Sequence, residues 1–144
     1  MITDRQVIEA ALSFQRTPYL HQGRSNNGLD CIGLIIVVAK KLRIPIYDPI
    51  SEGYSRLPRG TRLLYGMREH LNEIDKPIPG SIFLCSYRTY PQHVGIIGDI
   101  IDGKQYIIHV DINQNGCVHT PMPDEISRRL VSLFTFKSFV SVSE

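Results

Sequence analysis

Cys31 follows Asp30 and precedes Ile32-Gly33 in "NNGLDCIGLIIVVAKKL" (26–42), directly ahead of a long apolar run. If that run is a helix, the cysteine sits in its first turn, where free backbone N–H groups stabilise negative charge. A nucleophilic thiolate gains from that position and a packing cysteine does not. His93 opens "HVGIIGDI" and His109 lies near the end of "KQYIIHVDI". The two stretches are separated by Asp102-Gly103, a dipeptide that favours a tight hairpin. Such a hairpin carries both histidines toward one end of a sheet. With the start of the Cys31 helix at that end, a thiol, a base and an orienting group converge. His93 then accepts the thiol proton, and His109 fixes its tautomer through the other ring nitrogen.

The elements that must hold these groups are readable from periodicity and punctuation. Thr3 and Gln6 have capping-box spacing, and Val7, Ile8, Ala11, Leu12 and Phe14 mark one face of a first helix. Asp30 is placed to cap the second helix, expected over 31–42, with basic residues in its last turn. Its run Ile35, Ile36, Val37, Val38 also suits a strand, so length and caps decide for a helix. A third, shorter helix is expected over 61–71, after a proline-punctuated loop from 45 to 60. "KPIPGSIFLC" then switches the pattern to strands, with one from Ser81 and others at "HVGIIGDI", "KQYIIHVDI" and "GCVHTPM". Asp102-Gly103 and Asn115-Gly116 both signal tight hairpins. A helical turn over 124–129 and a last strand over 130–139 complete an α+β order, helices first and an antiparallel meander after.

A chain of 144 residues suits one domain over 1–144. Its net charge of +2 comes without a dominant basic cluster, which argues against nucleic-acid binding. Arg56, Arg59 and Arg62 read as solvated surface. Cys31, Cys85 and Cys117 are odd in number and widely spaced, which makes no disulfide framework, although a Cys85–Cys117 pair stays open. Cys85 reads as core and Cys117 as a small strand residue; His21 and His70 read as surface, His21 within a loop near the groove. "MITDRQVIEAALSF" reads as a helix rather than a secretion signal, and "IGLIIVVA" is too short to span a bilayer. A soluble chain, cytoplasmic as synthesised and without membrane insertion, is the expectation.

"TPYLHQGRSNNGLDCIGL", then "HVGII", then "YIIHV" resembles the NlpC/P60 family of papain-like cysteine peptidases, over about Pro18 to Val118. The opening segment and the compact size resemble members encoded with phage and gene-transfer-agent tails. The resemblance implies an α+β papain-like fold, helices on an antiparallel sheet, and a cysteine endopeptidase with Cys31 as nucleophile, His93 as base and His109 as orienting residue. It implies that Tyr19 lies beside the nucleophile at the oxyanion site and that Asp30 caps and positions. It also implies a peptidoglycan stem-peptide substrate, cut after γ-D-glutamyl before a diamino acid, no cofactor or metal, and tail proteins as partners. Two positions depart from the family pattern. Ile32 replaces a serine, and Gln22 replaces the first glycine of a Gly-Gly pair.

Other readings remain open from the residues alone. Cys31, His93 and His109 are also zinc-ligand types, though no short-spaced ligand pair is present. A non-catalytic wall or tail binder and a thioester acyltransferase use the same fold. For His109, Asp111 and His119 are alternative orienting groups.

Overall fold

A computed structural model of the chain describes residues 1–54, 61–87 and 90–142; Arg56, Arg59 and the end of the 45–60 loop lie outside them. The chain opens with strand β1 (Ile2–Thr3) and helix α1 (Asp4–Leu12). The capping box forms as its spacing predicts: Thr3 Oγ1 accepts from the Gln6 N–H, and the Gln6 side chain accepts from the Thr3 N–H. A loop carrying the short antiparallel pair β2 (Arg24–Ser25) and β3 (Gly28–Leu29) then delivers the chain into α2 (Cys31–Lys41).

In α2 every residue from Ile32 to Ala39 is buried, the signature of a central helix rather than an amphipathic surface one. Its β-branched run is held helical by the Asp30 cap and by surroundings that accept apolar side chains on all sides. Gly33 is obligatory on packing grounds, because a Cβ there would collide with the backbone carbonyl of Gly23. The loop therefore crosses directly over the first turn of the helix.

After α3 (Arg62–His70) comes an edge strand that periodicity did not reveal, β4 (Asn72–Ile74). The remaining elements are β5 (Ile82–Tyr87), β6 (Tyr90–Ile101), β7 (Lys104–Asp111), β8 (Gly116–Pro121), α4 (Asp124–Arg128), β9 (Leu130–Thr135) and β10 (Phe139–Val140). Six strands form an antiparallel sheet in the order β4-β9-β5-β6-β7-β8. The Asp102-Gly103 turn has positive φ at both residues, 51° and 75°, as a two-residue hairpin requires. Asn115-Gly116 does not make such a turn. A 3-10 turn over Ile112–Gln114 precedes it, and Asn115 ends that turn in the left-handed region. The last strand also ends earlier than expected: β9 stops at Thr135, and Phe139–Val140 pairs separately and in parallel with Ile2–Thr3. His93 lies inside β6 rather than at its start.

Strand alternation divides the sheet into two faces. Ile82, Leu84, Val94, Ile96, Ile108 and Val110 belong to the main core with α1 and α2. Phe83, Cys85, Ile97 and Ile107 face the other way, packed with Ile126 of α4 and Leu133 of β9. No helix among the described residues is long and apolar enough to cross a membrane.

Candidate active site

The β6–β7 register Ile96↔Ile108, continued one residue, sets Gly95 opposite His109; Gly95 also pairs with Phe83 of β5. Without a side chain at Gly95, His109 and Phe83 close over that point. A Cβ would stand 2.5 Å from the Phe83 ring and 2.8 Å from the His109 Cβ. His109 can then lean diagonally along the sheet and bring its Nδ1 to 2.9 Å from Nε2 of His93. Both imidazoles are buried, and their centroids lie 5.9 and 6.4 Å from that of Phe83. Burial and the neighbouring His109 push His93 down to about 3, while Asp111 opposes the shift. His109 is lowered by burial, also against Asp111.

Cys31 occupies the first residue of α2 and is partly exposed. Backbone N–H groups of Val94, Ile32 and Cys31 itself are directed at its sulfur. The first of these brings the thiol to β6 at Val94, the residue after His93. Cys85 stands opposite His93 across the β5–β6 pair, and its thiol feels the charge of Cys31. The expected low thiol pKa is not what this environment produces. Burial first, and Asp30 second, push Cys31 up to about 12, outweighing the three N–H groups. With His93 lowered as well, the resting pair is a neutral thiol and a neutral imidazole.

Asp30 has no capacity left for a ligand. Its Oδ1 accepts from the Gly33 N–H at 2.7 Å and from Arg24 at 3.1 Å. Its Oδ2 accepts from the Gln22 N–H at 2.8 Å and from the Tyr54 hydroxyl at 2.7 Å. Four donors fill a carboxylate's four sites, which fits a capping and positioning role. Arg24 extends the network to Asp48 at 3.0 Å, so the segment bearing Asp48 and Tyr54 is tied to the start of α2. Burial, then the hydrogen bond to Asp30, hold the Tyr54 hydroxyl protonated far above its usual range. Arg24, Asp48 and Tyr54 carry no spacing signal, and Phe83 looks like any strand aromatic; none of the four stood out in the sequence. Gln22, in the glycine position, adopts the left-handed φ of 60° that a glycine takes without strain, and its side chain donates to the Tyr54 carbonyl. Tyr19 bridges to Leu29, two residues before Cys31, which brings it to the entry of the helix.

Cys31, Cys85 and Cys117 are all free thiols, the latter two buried. His70 stacks on Tyr47, and His21 meets the Tyr54 ring edge-on, both away from the histidine pair. His119 packs against Tyr106. Among the described residues no group of three or more His, Cys, Asp or Glu side chains is arranged to hold a metal ion.

The sequence matches the model of the NlpC/P60 family over residues 16–132. The chain belongs to the NlpC/P60 family. Among solved structures, its fold is similar to the NlpC/p60 domain of the peptidoglycan hydrolase SagA, with a TM-score of 0.65 at 15% identity, covering 92% of this chain and 98% of that one. It is also similar to an NlpC/P60 family protein from Bacillus cereus ATCC 10987, with a TM-score of 0.63 at 19% identity, covering 92% of this chain but 40% of that longer one. The curated proteins gave no match. These likenesses establish the α+β papain-like NlpC/P60 fold, helices packed on an antiparallel sheet. Membership places the chain among NlpC/P60 cysteine hydrolases, and the cysteine and histidine residues present are consistent with such a site.

Proposed function

We propose that this NlpC/P60 chain is a cysteine endopeptidase that hydrolyses amide bonds in peptidoglycan stem peptides, between γ-D-glutamyl and a diamino acid. The observation that carries the reading is the His93–His109 contact at 2.9 Å on the strand whose next N–H, that of Val94, meets the Cys31 sulfur. Cys31 is the nucleophile, His93 the base and His109 the orienting residue. Cys85 also faces His93, but at 1% exposure no substrate carbonyl reaches it.

The neutral resting pair calls for proton transfer during attack. His93 takes the thiol proton as sulfur bonds to the amide carbon, giving a tetrahedral oxyanion held by backbone N–H at the helix start, with Tyr19 at the same site. The C–N bond breaks, His93 gives its proton to the leaving amine, and a thioester remains. Water, deprotonated by His93, cleaves the thioester and releases the acid and the free thiol. Association with a phage or gene-transfer-agent tail, and with tail proteins as partners, rests on the likeness of the "HQGRS…DCIGL" opening to such members.

The test is cleavage of purified muropeptides by wild type, Cys31→Ala and Cys85→Ala, with products identified by mass spectrometry. Cleavage lost in Cys31→Ala and kept in Cys85→Ala is the expected result. Equal cleavage by wild type and Cys31→Ala sinks the mechanism, and no cleavage by a folded wild type sinks the substrate assignment.

A further inference from the structure

A cavity of about 440 Å3 lies between α2, the segment from Ile46 to Tyr54, and α3. Ile32, Ile35, Ile36, Met67 and Val94 line it and are all buried. The charged residues on its lining, Arg62 and Glu69, are exposed. Two of its lining residues, Ile32 and Val94, adjoin Cys31. Ile32 is the residue after Cys31, and Val94 supplies the N–H directed at its sulfur.

Gly66 gives an independent indication that this space is kept open. Glycine is disfavoured inside a helix, yet Gly66 sits in the middle of α3. Neither of the usual reasons applies, since its φ is not positive and an added Cβ would meet nothing within 4 Å among the described residues. What the missing side chain does is leave the cavity unfilled. At about 30 Å3 per water-sized group, the volume accommodates roughly fifteen non-hydrogen atoms, more than any amino-acid side chain contains. Ligand pockets of this size with apolar walls and few polar groups bury most of their ligand.

We propose that this cavity is a subsite for the acyl part of the substrate and that it takes an aliphatic chain. The inference rests on Cys31 being the nucleophile and adds amides with an apolar acyl group to those the site accepts. Ile32, where the family pattern has a serine, is the wall of this subsite that follows Cys31 in the chain.

The test is calorimetric titration of N-methylacetamide, N-methylhexanamide and N-methyldecanamide into Cys31→Ala, where no turnover can interfere. Affinity should rise by about fourfold for each methylene buried, from the transfer free energy of a methylene. Gly66→Phe and Gly66→Leu, with folding checked by circular dichroism, should weaken that dependence by occupying part of the space, Phe more than Leu. An affinity independent of chain length overturns the proposal, as does an unchanged dependence in a folded Gly66 variant. Tighter binding of an arylalkyl amide than of the decanamide overturns the aliphatic assignment. Chain-length dependence without muropeptide cleavage by wild type would remove the stem-peptide reading and leave the subsite. Cleavage without chain-length dependence would do the reverse.

Discussion

His93 Nε2 and His109 Nδ1 share one hydrogen bond of 2.9 Å, and the other ring nitrogen of His109 is buried without a partner among the described residues. The direction of this bond decides whether His93 can act as a base. To take a proton on Nδ1, His93 must carry its own on Nε2 and donate to His109. His109 is then protonated on its isolated Nε2, an unfavourable place for a buried N–H. The catalytic tautomer is therefore held against a local cost, and Phe83 and Gly95 supply the packing that holds it.

An amide oxygen at position 109 would accept the same bond from His93 and impose the same tautomer. His109→Asn should retain most of the wild-type kcat. His109→Ala should lower kcat about a hundredfold, within the range of a lost acid–base contribution, with KM little changed. A residue that only packs would lose comparable activity in both variants, so kcat and KM for the two distinguish the roles.

The shifts on Cys31 and His93 predict the pH dependence of the free enzyme's thiol. Cys31 is raised to about 12 and His93 lowered to about 3, so the neutral pair holds across the intervening range. Alkylation of Cys31 by iodoacetamide, followed by mass spectrometry, should accelerate with pH up to the highest value at which the fold survives. A plateau beginning below pH 6 would mean a thiolate–imidazolium pair and overturn the neutral assignment.

The N-cap at Asp30, the capping box at Thr3 and the Asp102-Gly103 hairpin were legible because each is a local rule expressed in adjacent residues. The position of His109 relative to His93 followed from one hairpin and the period of a strand. What stayed hidden depends on contacts distant in sequence. Asp48 and Tyr54 reach Asp30 through a loop whose composition says only that it is a loop. The rise in the Cys31 pKa depends on burial that a helix-start rule cannot register. Phe139 continues the apolar pattern of β9, yet its backbone pairs with Ile2, at the other end of the chain.

Gly95→Ala should disturb the histidine pair at the point where Phe83 and His109 meet. The new methyl would meet Phe83 at 2.5 Å and the His109 Cβ at 2.8 Å, on strands fixed by their ladders. Overpacking of this kind costs about 1–3 kcal/mol, and His109 would be displaced from His93. Thermal unfolding should show the lower stability, and kcat should fall with it. Phe83→Leu added to Gly95→Ala should recover part of the stability by making room; a double variant no more stable than Gly95→Ala would point elsewhere.

The buried histidines also set the acid limit of the fold. Their pKa values are lowered in the native state, His93 to about 3, against an ordinary value of 6.5. Above 6.5 both are neutral whether folded or not and contribute no pH dependence. As pH falls from 6.5 toward 3, the unfolded chain binds protons that native His93 does not, so stability falls. For His93 the slope approaches roughly 1 kcal/mol per pH unit, and His109 adds in the same direction. Urea unfolding at pH 7, 5.5 and 4.5 (roughly spanning that window) should show the decline, and His93→Phe should flatten it. Equal slopes in the two proteins would assign the acid sensitivity to other groups.

The network at Asp30 predicts an effect on catalysis without any contact with substrate. Removing the carboxylate in Asp30→Ala frees the Gly33 N–H, the Gln22 N–H, the Tyr54 hydroxyl and one Arg24 donor together. Arg24 keeps Asp48, so its charge is not stranded. The expected loss is roughly 2–4 kcal/mol, summing a missing cap and buried donors without acceptors. Tyr54→Phe removes only the hydroxyl bonds to Asp30 and Arg24 and should cost about 1–2 kcal/mol. Because the hydroxyl ties the 45–60 loop to the start of α2, Tyr54→Phe should change KM more than kcat, by loosening a wall of the cavity while leaving Cys31 and His93 in place. Chemical denaturation gives the stabilities, and steady-state kinetics on the same preparations give the split. A Tyr54→Phe enzyme that loses kcat with KM unchanged would mean that the network positions the nucleophile itself rather than the loop beside it.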